Sequence, residues 1–149
     1  MSLQLSQDLY DQLRAHGEET YPNECCGIML GKSTETTIRV EALIRAGNTR
    51  TDSAHNRYHI APQELIKAQR EGRKAGLDIV GFYHSHPDHP AQWSITDFNE
   101  AHWFGCAYVI TAVDGDKTTG KSTLTNSFLL TGTGEEDKAF ANQPIEIIG

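Results

Sequence analysis

The chain has 149 residues, 13 Lys and Arg against 20 Asp and Glu, and a formal net charge of -7. That length suits one domain with a sizeable core, and the acidic balance argues against a nucleic-acid binder, which needs clustered cations facing phosphates. Three cysteines, two of them adjacent, make neither a disulfide framework nor a C-x-x-C pair, so Cys25 and Cys26 read as packing residues. The start, Met1 to Asp8, has no basic segment followed by an apolar one, and no apolar run approaches the roughly 20 residues that cross a bilayer. A cytoplasmic protein with no membrane contact is the expectation.

In chain order, Leu3 to Leu5 predicts a short strand, and Ser6 caps a helix whose Leu9, Tyr10 and Leu13 form an apolar stripe to about Gly17. A strand is expected from Glu24 to Leu30, a turn over Gly31 to Thr34, and a returning strand from Thr36 to Ile44. Arg45 to Asn56 reads as a long polar loop, either a plain solvated connection or a functional segment. Arg57 to Ile60 is a brief extended piece. Pro62 opens a second helix that runs to about Ala75, with Gly76 as its stop. Leu77 to Tyr83 is apolar and β-branched, a buried strand. After it, Thr96 to Trp103 predicts a short helix, Cys106 to Val113 a buried strand, and Ser122 to Leu130 its return. Thr131 to Asn142 reads as loose, and Gln143 to Ile148 as an edge strand. The whole predicts one α/β domain over 1–149, a mixed, mostly antiparallel sheet flanked by helices.

Between the hairpin strands, Gly115 to Ser122 matches the phosphate-loop pattern G-x-x-x-x-G-K-[ST] in full. Such a loop must open a helix whose N-terminus receives the anion. The residues after Ser122 carry β-type patterning instead, so a hairpin turn is the reading.

The chemistry concentrates at His84-Ser85-His86-Pro87 and, six residues later, Ser94-Ile95-Thr96-Asp97. Side chains of a strand alternate between faces, so His84 and His86 project to one side and Ser85 to the other, where packing is its expected role. Pro87 cannot donate to a ladder and stops the strand. Two imidazoles with a carboxylate nearby suit a divalent metal, because catalytic zinc takes three protein ligands and keeps one position open. Ser94 and Asp97 also fit a helix start, with Ser94 as N-cap. His89 competes as a ligand by proximity alone, from a Pro-flanked loop.

These motifs resemble the signature of the JAMM (MPN+) metallopeptidases, and Pro22-Asn23-Glu24-Cys25-Cys26-Gly27 is similar to the family's early glutamate followed by Cys-Gly. The resemblance spans about Leu5 to Leu130 and is closest to the small stand-alone bacterial members. It implies the JAMM/MPN fold, related to that of the cytidine deaminases, with the 45–56 region bordering the substrate groove. It also implies Zn2+ held by His84, His86 and Asp97, Glu24 as general base, and Ser94 as donor to the developing oxyanion. The substrate it implies is an amide bond at the Gly-Gly tail of a ubiquitin-like sulfur-carrier protein. A metallo-amidase acting on small peptides or cell-wall fragments is the alternative, and a non-catalytic MPN scaffold a third reading, against which the intact His84, His86 and Asp97 speak. A nucleoside deaminase lacks its Pro-Cys-x-x-Cys element here.

Overall fold

A computed structural model describes residues 1–48 and 59–149. The elements run β1 (Ser2–Ser6), α1 (Gln7–Thr20), β2 (Cys26–Ser33), β3 (Thr37–Ala46), α2 (Pro62–Ala75), β4 (Asp78–Pro87), α3 (Ile95–Glu100), β5 (Ala107–Gly115), β6 (Gly120–Thr131), β7 (Ala139–Gln143) and β8 (Ile145–Ile148). The strands form one sheet in the order β7-β6-β5-β4-β2-β3-β1-β8. β2 pairs antiparallel with β3 and β4, β6 with β5 and β7, while β4/β5, β1/β3 and β1/β8 are parallel. The expected mixed, mostly antiparallel sheet is therefore present. Strands β7 and β8 are separated in the chain by Pro144 alone, yet they stand at opposite ends of the strand order. The sheet must curl until its two edges lie one residue apart.

Helix α1 covers one face of the sheet. Leu13 packs with Leu3, Leu5, Met29, Ile38, Val40, Tyr83 and Val109 in a continuous buried cluster, and each such side chain contributes about 1.5–3 kcal/mol. Ser6 caps the helix by accepting the Leu9 N–H at 3.2 Å. The second face carries α2 and α3, with Ile28, Leu30, Ala68, Phe82 and Tyr108 between them and the sheet. α2 has the expected bounds: Pro62 occupies its first turn and Gly76 ends it at φ 72°, a left-handed conformation that a residue with a Cβ adopts only under strain.

Several expectations change, among them the strand expected over Leu77 to Tyr83, which runs from Asp78 to Pro87 and so includes His84 and His86, and the first helix, which runs on to Thr20. β2 runs on to Ser33 past a bulge at Leu30/Gly31, so the turn lies beyond Ser33 rather than at Gly31. α3 ends at Glu100, because the chain turns extended at Ala101 to bury it and to bring Trp103 against Phe82. The stretch 131–142, read as loose, contains β7, an edge strand that pairs with β6 from Ser127 to Thr131. Ser85 does more than pack, since its hydroxyl accepts the Cys25 N–H. Of the polar 45–56 segment, Arg45 and Ala46 end β3, Gly47 and Asn48 come next, and 49–56 lie outside the described residues, as do Arg57 and Tyr58. The phosphate-loop match is a hairpin between β5 and β6, with Gly115 paired to Gly120. Among the described residues, no helix is long and apolar enough to cross a membrane.

Candidate metal centre

The pairing of His84 and His86 is a product of strand register. β4 lies between β2 and β5, with His84 opposite Cys26 on one side and Ile110 on the other. The even residues Phe82, His84 and His86 face α2 and α3, while Tyr83 and Ser85 face α1. Gly27 allows this, since a Cβ there would collide with the Tyr83 ring. Asp97 arrives from α3, in a capping box where Asp97 N–H donates to Ser94 Oγ at 3.0 Å and Ser94 N–H to Asp97 Oδ2 at 2.9 Å.

Three donor atoms converge. His84 Nε2 lies 3.2 Å from His86 Nε2 and 3.2 Å from Asp97 Oδ1, and His86 Nε2 lies 3.0 Å from Asp97 Oδ2. Tetrahedral zinc with bonds of about 2.0–2.1 Å separates its ligands by about 3.3 Å, so the spacing fits that ion closely. The tautomer fits as well. His86 Nδ1 sits 2.9 Å from the carbonyl oxygen of Pro90, which can only accept, so Nδ1 donates there, and a neutral ring would then present the Nε2 lone pair to an ion in place of the proton it shares with Asp97. All three residues are largely shielded, with His84 at 2 % exposure and His86 at 7 %.

Charge obeys the same geometry. Burial lowers the pKa of His84 despite Asp97 beside it. Burial alone would lower His86 too, but its hydrogen bond to Asp97 and that carboxylate's charge outweigh it and raise the value. Burial works against the ionised form of Asp97, yet the two imidazoles hold its carboxyl well below the usual carboxylate range. An ionised carboxylate facing two ring nitrogens is a group that could hold a cation.

Glu24 stands just before β2 and is only 3 % exposed. Its Oε1 has no hydrogen-bond partner among the described residues. Burial first, then the charges of Asp97 and Glu100, raise its pKa to about 8, with His86 opposing. Two contacts hold its backbone in place. Ser85 Oγ, on the back of the ligand strand, accepts the Cys25 N–H at 2.8 Å, and the Asn48 side-chain amide donates to the Glu24 carbonyl at 3.3 Å. Neither was legible in the sequence, where Ser85 read as packing and Asn48 as part of a long polar loop; only the tertiary register reveals them.

Glu24, His86, Ser94, His89, Trp93 and Thr96 line one open cleft of ≈ 450 Å³. His89 is exposed there and is not among the converging groups. Ser94 is exposed, and its Oγ spends only an acceptor site on the cap, so its hydroxyl hydrogen is free to donate outward. A second, more apolar cleft of ≈ 320 Å³ lies one step along β4, between Ile60, Leu65, Phe82, Trp103 and Tyr108, with Glu100 in its wall.

The chain is similar to known proteins along most of its length. Desampylase of Haloferax volcanii is 34% identical over 120 residues, covering 78% of this chain and 84% of that protein. A probable TtuB-protein conjugate cleaving protease of Thermus thermophilus is 34% identical over 113 residues, 76% of this chain and 72% of that one. A solution structure of a Desulfitobacterium hafniense protein superposes with a TM-score of 0.75 at 23% identity, covering 98% of this chain and 94% of the other, and shares the fold. The pattern of the prokaryotic homologs of the JAB domain matches residues 6–126, and the chain belongs to that family, of the JAMM type.

Proposed function

We propose that this chain, as one catalytic domain over 1–149, is a zinc-dependent isopeptidase. It would hydrolyse the amide bond that joins the Gly-Gly tail of a ubiquitin-like sulfur-carrier protein to its partner. The observation that carries the reading is the convergence of His84, His86 and Asp97 beside the buried carboxylate of Glu24. The names of the Haloferax and Thermus relatives support a conjugate as substrate.

His84, His86 and Asp97 would hold the ion. When bound, zinc supplies a Lewis acid and brings the pKa of a coordinated water from 15.7 toward about 7. Glu24 takes a proton from the attacking water and returns it to the departing amine. The buried position of Glu24 suits this shuttle, because burial brings its affinity for the proton close to neutral pH. Ser94 donates its hydroxyl hydrogen to the carbonyl oxygen as negative charge grows there. The apolar cleft beside Phe82 and Tyr108 accommodates an extended tail, and the open cleft beside Ser94 leaves room for the other half of the conjugate.

The test uses purified protein, a carrier ending in Gly-Gly linked to a lysine side chain, and metal analysis. Zinc near one per chain, cleavage after the second Gly, and loss of both in the His84→Ala, His86→Ala double variant are expected. Equal zinc in parent and variant overturns the ligand assignment. Unchanged turnover when bulky residues replace Gly-Gly overturns the carrier-tail reading in favour of a small-amide hydrolase.

A further inference from the structure

Asp97 reaches the two imidazoles from a helix with little to hold it. α3 is six residues long and buries none of them, and a lone helix of that length does not persist in water. Its capping box closes the first turn on itself but does not fasten that turn to the sheet. Phe98, the neighbour of Asp97, supplies the fastening. Its ring lies 5.5 Å from Trp93 and 5.6 Å from Phe140 on β7. Phe140 in turn meets Tyr108 at 5.5 Å and Phe128 at 6.1 Å. Over the Phe98 ring sits the ammonium of Lys138, 4.7 Å from the centroid.

Lys138 is costly where it stands. Its side chain is 1% exposed, and Nζ has no hydrogen-bond partner among the described residues. The carboxylate it pairs with is Glu135, 3.8 Å away and 73% exposed, and so solvated a pair returns little. Burying an ammonium without hydrogen bonds is unfavourable. The Phe98 face is its remaining partner, and a desolvated cation over an aromatic face is strongly attracted. A position that needed only volume would be filled at lower cost by methionine.

We propose that Lys138 is a positioning residue for the metal centre: its ammonium on Phe98 fixes α3 against β7 and so keeps Asp97 within reach of His84 and His86. Metal affinity is thereby tied to the last third of the sheet. The proposal rests on reading those three residues as ligands.

The experiment measures zinc affinity of the full chain by chelator competition, together with the unfolding temperature of the metal-free proteins. The variants are Lys138→Met, Lys138→Arg, Phe98→Leu and the Lys138→Met, Phe98→Leu pair. Lys138→Met should weaken zinc binding about tenfold, the low end of what losing a group behind a ligand costs. Lys138→Arg should restore most of it, because a guanidinium also stacks on a ring face. In the Phe98→Leu background, Lys138→Met should weaken zinc no further, since the ring it acts through is gone. Parental zinc affinity in Lys138→Met overturns the proposal, as does an undiminished loss in the Phe98→Leu background. So does a Lys138→Arg variant that regains stability without regaining affinity. Should Lys138→Met fail to fold, Phe98→Leu decides, and parental zinc affinity there overturns the proposal. A parent chain that takes up no zinc overturns the metal reading itself, a separate outcome.

Discussion

Glu24→Gln should make the metal-free protein more stable at pH 8 while abolishing turnover of the zinc-loaded one. Glu24 is 3 % exposed and its pKa is raised from 4.5 to about 8 by burial, with Asp97 and Glu100 adding to it. Proton counts set the sign. Between pH 4.5 and 8 the unfolded chain has released a proton that the folded chain still holds, so stability falls as pH rises through that window. At about 1.36 kcal/mol per pH unit, the loss approaches ~4 kcal/mol by pH 8. For a chain of this size each kcal/mol moves the midpoint by about 2–4 °C, so roughly ten degrees are at stake. Glutamine keeps the shape and carries no charge, which removes this slope. The assay is calorimetric unfolding in chelator at several pH values from 5 to 8, beside cleavage rates of the loaded proteins. Parent and variant should agree near pH 5 and separate by pH 8, while the variant's cleavage falls by about 10²–10⁴. Parallel curves at every pH would refute the claim that a buried carboxylate waits beside the metal ligands, and a parental cleavage rate would refute its role as base.

Ser94→Ala should keep zinc, lose about 1 kcal/mol of stability from the missing cap, and lose about 10²–10³ in turnover; a stability loss with full activity would restrict Ser94 to capping. His16, whose Nδ1 lies 2.7 Å from the Tyr83 hydroxyl, has its pKa lowered to about 4, chiefly by burial. As pH falls from 6.5 toward 4, the unfolded chain gains a proton the folded one refuses. Stability should therefore drop by about 2 kcal/mol after allowance for solvent screening, and His16→Gln should flatten that part of the urea-denaturation profile. Gly27→Ala drives a methyl group into the Tyr83 ring, so denaturation should show a loss of about 1–3 kcal/mol, with weaker zinc binding as the ligand strand shifts.

Local signals carried the parts of the fold that local chemistry decides. Pro62 and Gly76 bound α2 in the sequence as in the structure, because one lacks the donor a first turn leaves unpaired and the other accepts a positive φ. The three converging groups were legible because alternation in a strand and a capping helix start each fix direction. β7 was not legible. Ala139-Phe140-Ala141-Asn142-Gln143 has one aromatic and little β-branching, and it becomes a strand through its ladder with β6. Glu24 was singled out by resemblance alone, since nothing about a carboxylate among 20 acidic residues announces that it will be buried. The Ser85 and Asn48 contacts that hold the backbone around it join positions far apart in the chain.

The arrangement around His84, His86 and Asp97 also links the stability of this fold to the proposed ion. The ring nitrogens of His84 and His86 stand 3.2 Å apart, and the Asp97 carboxylate lies 3.0–3.2 Å from both, close enough for the three to share a proton or a cation. Behind them stand the Pro90 carbonyl at His86 Nδ1, the Ser94 N–H on Asp97, and the register of β4 between β2 and β5. A proton and a divalent ion would compete for the same lone pairs there. An ion that binds the folded chain and not the unfolded one stabilises it by RT ln(1 + [L]/Kd). On the proposed reading, zinc should therefore raise the unfolding temperature of the chain and a chelator should lower it.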